Sequence, residues 1–356
     1  MKHYLEILTD TIQQNRDCPA LTDYSRLTGY EGNDYTYGEM YDKMSWLCGL
    51  LHNMGLAKGA HVAICGANSA NWIVAYLAVA AFKGVSVTIL HTQTPDMILQ
   101  QVRYADTDAL FVDSDIWNAL EKECVSDIAT VIALDDYSVL RGKTSDTGFQ
   151  DYAYDIDLKS GDIDSLAQIC YTSGSTDEPK GVMLPFRSLS NNIECVIGTF
   201  PDCSRENIVS VLPFAHIFGL VEEVLAQMYN AHHIILMGNM MTFSTLSDAF
   251  QRVRPYMLFS VPLLLEQIHS RTGDGMGQFF GGRMRQVISG GSCLDPKLEK
   301  AIVKAGISLT TGYGTTETGP LISHAGIGDY KPHSVGKVVS GMEALYASLQ
   351  NSGLLT

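Results

Sequence analysis

The chain has 356 residues, enough for two or three ordinary domains with filled cores. Its composition, 46% hydrophobic and 18% charged, excludes an intrinsically disordered chain. A net charge of −15 excludes diffuse attraction to nucleic acid or anionic lipid, so any phosphate site has to be built locally from backbone N–H groups and a few cations.

The opening residues, Met1 to Glu6, carry an acid early and have no long apolar core, unlike a signal peptide. From about residue 60, short β-branched runs alternate with helical patterns. His61 to Cys65 reads as a strand, Ser69 to Phe82 as a buried helix and Val85 to Leu90 as a second strand. The stretch Trp72 to Phe82 is the most apolar in the chain, yet too short to span a bilayer. Thr94 and Pro95 supply an N-cap and a first helical residue. Ala109 to Val112 and Val131 to Leu134 are further strands. Asp136 to Asp164 is polar and glycine-bearing, a surface crossover that breaks the rhythm.

The alternation restarts with a strand at Gln168 to Tyr171, followed by strands at Ile208 to Leu212, His233 to Met237, Met257 to Val261 and Gln286 to Ser289. Asp295 and Pro296 start a helix that ends near Gly306, and Ile307 to Thr310 is a short strand. Continuous apolar strands alternating with helices predict an α/β fold of two subdomains, residues 1–160 and 161–356. Their mostly parallel sheets are covered by helices, with binding loops at the carboxyl ends of the strands. Eight cysteines occur and none forms a CxxC pair, so no zinc or redox motif is supported and a reducing cytoplasm is the expected location.

Four loops carry polar chemistry. Tyr171-Thr172-Ser173-Gly174-Ser175-Thr176-Asp177-Glu178-Pro179-Lys180-Gly181 follows a strand with hydroxyls, glycine and one lysine. These can turn N–H and O–H groups toward phosphate oxygens. It is not a Walker A loop, because Pro179 and Gly181 flank the lysine. In Thr311-Gly312-Tyr313-Gly314-Thr315-Thr316-Glu317 the glycines permit close approach to backbone, the tyrosine offers a face to a base, and Glu317 offers oxygen to a hard cation such as Mg²⁺. Ser289-Gly290-Gly291-Ser292 is a second place where backbone can meet a flat ring. Leu212-Pro213-Phe214-Ala215-His216-Ile217-Phe218-Gly219 places one histidine in an apolar stretch. No GxGxxG follows the first strand of either half, which argues against a dehydrogenase.

In this order the four segments resemble the AMP-binding, adenylate-forming superfamily of acyl-CoA synthetases, luciferases and peptide-synthetase adenylation domains. Tyr35 to Met40 resembles its early helix-start motif, and Ala81 to Gly84 the segment after it. The resemblance implies ATP-dependent activation of a carboxylic acid to acyl-AMP, then transfer to coenzyme A, as in a fatty acid–CoA ligase. It implies that Thr172, Ser173, Gly174, Ser175, Thr176 and Lys180 cradle the triphosphate. Gly290 and Gly291 would border adenine, with Tyr313 stacked on it beside Gly314. Thr316 would meet the α-phosphate, Glu317 would hold Mg²⁺, and His216 would sit at the boundary of the acid tunnel. Lys180, Thr316, Glu317 and His216 are thus the expected catalytic set.

Two departures from the family pattern stand out. Asp177 replaces a glycine, and a carboxylate about 4 Å from a phosphate charge costs on the order of 4 kcal/mol at an effective dielectric of about 20. Asp177 is therefore expected to face solvent or Mg²⁺. The family's later aspartate and C-terminal-lobe lysine have no counterpart, which implies a nucleotide- and acid-binding body that turns over poorly alone. Leu212 to Leu220 and the apolar helix after it suit a greasy tunnel, and no acidic residue is evidently placed to hold the amino group of an amino acid. Loading of a carrier protein, or a non-catalytic nucleotide- and acyl-binding module, are the alternative readings.

Overall fold

The computed structural model describes residues 2–120, 128–142, 154, 156, 161–172, 180–199, 205–326 and 329–343. Its strands in chain order are β1 (Pro19–Asp23), β2 (Asp34–Thr36), β3 (His61–Cys65), β4 (Val85–Ile89), β5 (Ala109–Val112), β6 (Thr130–Ala133), β7 (Val139–Arg141) and β8 (Leu166–Thr172). They continue with β9 (Lys180–Pro185), β10 (Asn207–Ser210), β11 (His233–Leu236), β12 (Met257–Ser260), β13 (Gln286–Ser289), β14 (Ser308–Gly314), β15 (Leu321–His324) and β16 (Lys337–Val338).

Two mixed sheets, mostly parallel, result. One has the order β7-β6-β5-β3-β4-β8-β9 and the other β16-β15-β14-β13-β12-β10-β11-β1-β2. Every residue of β4, β5 and β6 is buried, as expected of parallel strands covered on both faces. In β3 the two-residue period sorts side chains between layers. Val62 and Ile64 join the core shared by both sheets, while Ala63 and Cys65 join a smaller core beneath the helices Pro95–Tyr104 and Ser114–Leu120.

The helix Ala70–Ala81 packs against β3 and β4 of one sheet and β1 of the other. Being enclosed on every side, it is apolar on every side. Its start is fixed locally, by Ser69 Oγ accepting from Trp72 N at 3.2 Å. Thr94 caps the next helix in the same way, with Pro95 at its first turn. Among the described residues no helix is long and apolar enough to cross a membrane.

The sheets do not divide where the alternation restarts. β8 runs parallel to β4, pairing Gln168 with Ser86, and carries β9 with it into the seven-stranded sheet. β1 runs parallel to β11, pairing Leu21 with Ile234, and brings β2 into the nine-stranded sheet. The expected limits 1–160 and 161–356 therefore do not coincide with the sheets, because each half of the chain contributes strands to the other's sheet. The polar crossover also contains a strand, β7, antiparallel to β6. Three residues are too few for a periodic pattern to register.

Candidate active site

The parallel strands β10, β13 and β14 end on the same side of the nine-stranded sheet, and the segments leaving them enclose a cavity of about 240 Å³. His216, Gly290, Gly291, Tyr313, Gly314 and Thr316, expected from the sequence, all line it. Ile217, Phe218, Ile288 and Leu321 add apolar wall. Residues 74 to 100 positions apart in the chain thus meet at one opening only because their strands are neighbours.

β14 is longer than expected. Up to Thr311 it pairs parallel with β13, and Gly312-Tyr313-Gly314 then continues as strand against β15 in antiparallel sense. The glycine-bearing segment is thus a change of partner, with a register shift between Tyr313 and Gly314. There the chain returns so closely that a Cβ on Gly314 would collide with the carbonyl of Pro320. Gly290 is needed for a different reason: a Cβ there would lie 3.1 Å from the Phe218 ring, which closes over its backbone. Tyr313 is 53% exposed, so its ring remains accessible at the rim.

The turn after β14 is held from a distance. Asn192, buried on the helix Phe186–Thr199, donates from Nδ2 to Thr318 O (3.0 Å) and accepts at Oδ1 from Leu321 N (2.6 Å). Thr318 Oγ1 donates to Thr315 O at 2.8 Å and Pro320 O at 2.6 Å. That helix follows directly from β9, which itself packs beside the Thr316–Thr318 turn. At the mouth of the β8–β9 hairpin, Thr172 and Lys180 are paired partners. The hairpin mouth and the turn bearing Thr316 and exposed Glu317 therefore share one support. Ser173, Gly174, Ser175, Thr176 and Asp177, with the rest of the phosphate loop, lie outside the described residues.

His216 is positioned by contacts from the other sheet. Asn68, after β3, donates from Nδ2 to Leu212 O (2.6 Å) and accepts at Oδ1 from Phe214 N (3.1 Å). Thr88 of β4 donates to Ala215 O at 3.3 Å. His216 keeps accessible surface toward the cavity, and desolvation by the protein around it lowers its pKa.

The apolar helix expected after His216 begins as a π-helix, Gly219–Leu225, a form that recurs at functional sites. It buries two consecutive glutamates, and burial pushes each pKa up from 4.5 to about 8. Glu223 accepts from Ser210 Oγ (2.8 Å), Val211 N (2.9 Å) and Leu212 N (3.1 Å). Glu222 is 5% exposed and lines the cavity. Glu222 is thus an acidic residue at this cavity that the sequence patterns did not single out. The signal in the sequence is a pair of acids inside an otherwise apolar run, Leu220 to Leu225, away from any strand end. Ser289 Oγ, also at the cavity, is buried without a hydrogen-bond partner.

Among the described residues no group of three or more His, Cys, Asp and Glu is gathered to hold a metal ion. One exposed carboxylate, Glu317, on the turn packed beside β9 has the oxygen chemistry that fits Mg²⁺, which proteins commonly hold by one or two carboxylates together with substrate phosphates.

A family model described as AMP-binding enzyme matches residues 8–346. Long chain acyl-CoA synthetase 6, peroxisomal, of Arabidopsis thaliana is 28% identical, with the match covering 90% of this chain and 53% of that protein. Long chain acyl-CoA synthetase 1 of the same plant is 26% identical over 80% of this chain and 52% of its own length. The chain spans about half the length of these curated relatives. In fold it is similar to the inhibitor-bound N-terminal domain of FACL13 from Mycobacterium tuberculosis, with a TM-score of 0.78 at 18% identity, covering 96% of this chain and 83% of that one.

Proposed function

The chain belongs to the AMP-binding enzyme family, and from that premise we propose that it binds ATP and activates a carboxylic acid, as the body of an acid–thiol ligase. The observation that carries this reading is the single cavity bounded by Gly290, Tyr313, Gly314, Thr316 and His216, held beside the hairpin mouth of Thr172 and Lys180. Adenine lies along the backbone of Gly290 and Gly291 with Tyr313 on its face. Lys180, Thr172 and the hydroxyls and N–H groups of Ser173, Gly174, Ser175 and Thr176 hold the β- and γ-phosphates. Thr316 meets the α-phosphate.

A carboxylate oxygen of the acid, entering past His216, attacks the α-phosphorus in line as the bond to pyrophosphate breaks. The thiolate of coenzyme A then attacks the acyl carbon, and AMP leaves with the bonding pair. Glu317 would hold Mg²⁺, which would supply charge neutralisation when bound. The protein's own share is to hold reactants in line and aim donors at the developing charge. The lowered pKa of His216 keeps its ring neutral at pH 7, so it admits the acid as a polar, uncharged wall. The apolar residues Ile217, Phe218, Ile288 and Leu321, with the long-chain relatives, favour an acid with an apolar body, a fatty acid above all.

ATP–pyrophosphate exchange with acids from acetate to palmitate, with benzoate and amino acids, tests this reading. It is run on the chain alone and on the chain supplied with the C-terminal lobe of a long-chain relative. Acid-dependent exchange, stronger with the lobe, is the expected result. Nucleotide binding with no exchange for any acid in either form would overturn it.

A further inference from the structure

Glu222 and Glu223 are neighbours in one π-helix and equally buried, yet their surroundings differ. Glu223 receives three hydrogen bonds from the end of β10. Among the described residues no donor reaches the carboxyl group of Glu222, and no lysine or arginine lines the cavity it borders. Buried polar groups in folded proteins are almost always hydrogen-bonded, so a carboxyl that faces a cavity with no protein donor takes its partner from whatever fills the cavity, water or ligand. Ile217, Phe218, Ile288 and Leu321 give the cavity an apolar wall, and its other polar side chains are His216 at the boundary, the partnerless Ser289 hydroxyl, Tyr313, Thr315 and Thr316.

We propose that Glu222 determines specificity in this cavity, selecting an acid whose apolar body carries a hydrogen-bond donor, a hydroxyl or an amine, over the plain acid of the same skeleton. The proposal rests on the reading of the cavity as the acid site. With its pKa pushed up to about 8, the Glu222 carboxyl is mostly protonated at pH 7, so it both accepts from and donates to a hydroxyl. An ammonium group instead stabilises the carboxylate, and the Glu222 proton then passes to the buffer as the pair forms. A plain alkyl or aryl acid leaves the carboxyl unsatisfied and meets a polar wall.

The test uses sulfamoyl-adenosine analogues of acyl-adenylates, which bind without turnover, in two matched series. One carries octanoyl, hydroxyoctanoyl and aminooctanoyl groups, the other benzoyl, hydroxybenzoyl and aminobenzoyl groups. Affinities come from calorimetry on the native chain and on Glu222→Gln and Glu222→Leu, with folding and AMP binding checked for each variant. In at least one series a substituted analogue should bind tenfold or more tighter than its parent, and Glu222→Leu should abolish or invert that preference. Repeating the titration in buffers of different ionisation enthalpy separates the sources in the octanoyl series, since binding of the alkylammonium group releases the Glu222 proton and hydroxyl binding does not; the aminobenzoyl group is uncharged at pH 7 and counts there as a neutral donor. Glu222→Gln should retain a hydroxyl preference and lose an alkylammonium preference. Parents binding as tightly as substituted analogues, with ratios unmoved by Glu222→Leu, would overturn the proposal while leaving the acid site intact. If no analogue binds better than AMP, the acid-site reading fails and the proposal with it.

Discussion

The end of β10 and the ends of β13 and β14 flank the same π-helix and are finished in opposite ways. Beyond β10 the backbone from Val211 to Ala215 is tied down by Glu223, Asn68 and Thr88. At the ends of β13 and β14, Ser289 Oγ is buried without a partner and the Tyr313 ring is left accessible, and Glu222 of the π-helix faces the same cavity. A strand end whose polar groups are satisfied internally serves as scaffold. One whose groups are left open can take its partners from water or a ligand.

The sharpest test of that contrast is to replace each glutamate by leucine. Glu223→Leu orphans Val211 N and Leu212 N, so urea denaturation should show a loss of about 3 kcal/mol. Glu222→Leu removes a carboxyl that no described residue pairs, and should leave stability within about 1 kcal/mol of native or raise it. Equal losses at the two positions would erase the distinction.

Next in size is Gly314→Ala. The added methyl forces the Pro320 carbonyl away and displaces Thr315 and Thr316. Affinity for an acyl-adenylate analogue should drop on the order of 100-fold, by analogy with the cost of misplacing reacting groups by about an ångström. An alanine variant with native affinity would mean that the close return of the chain does not shape the site.

Asn192→Ala probes the shared support of hairpin and turn. Losing its bonds to Thr318 O and Leu321 N should cost about 1–3 kcal/mol in thermal or urea unfolding, with a weaker nucleotide affinity. A stability loss with unchanged affinity would show that the turn keeps its shape without this clamp.

The last comparison concerns pH. Glu222 ionises near 4.5 when unfolded and at about 8 when folded, so between those values the folded chain holds more protons. Its contribution is therefore fully present below about pH 4.5 and is lost as pH rises toward 8. Stability of the native chain minus that of Glu222→Leu should fall across this window. A difference that stays flat would mean that the carboxyl ionises normally and is not desolvated.

The legible features are those set by near neighbours. Ser69, Thr94 and Asp295 cap their helices as their positions imply, and in the early helix-start segment Thr36 and Glu39 form a reciprocal capping box. The apolar run ending at Phe82 is a fully enclosed helix. β1, β2, β7 and β9 were not legible, since they are short or only partly buried and acquire strand geometry from the neighbours they pair with.

By itself the sequence determined the succession of strands and helices, the caps, and the glycine-bearing strand ends, because each depends on residues a few positions apart. Only the tertiary structure decided which half of the chain completes which sheet and that His216 meets Gly290 and Tyr313. It alone decided that, of two adjacent glutamates, Glu223 is satisfied and Glu222 is left facing a cavity. Hydrogen-bond satisfaction of a buried group is a long-range property: the donors at Ser210, Val211 and Leu212 reach Glu223 because β10 ends beside that helical turn, and nothing in the local sequence distinguishes the two carboxyls.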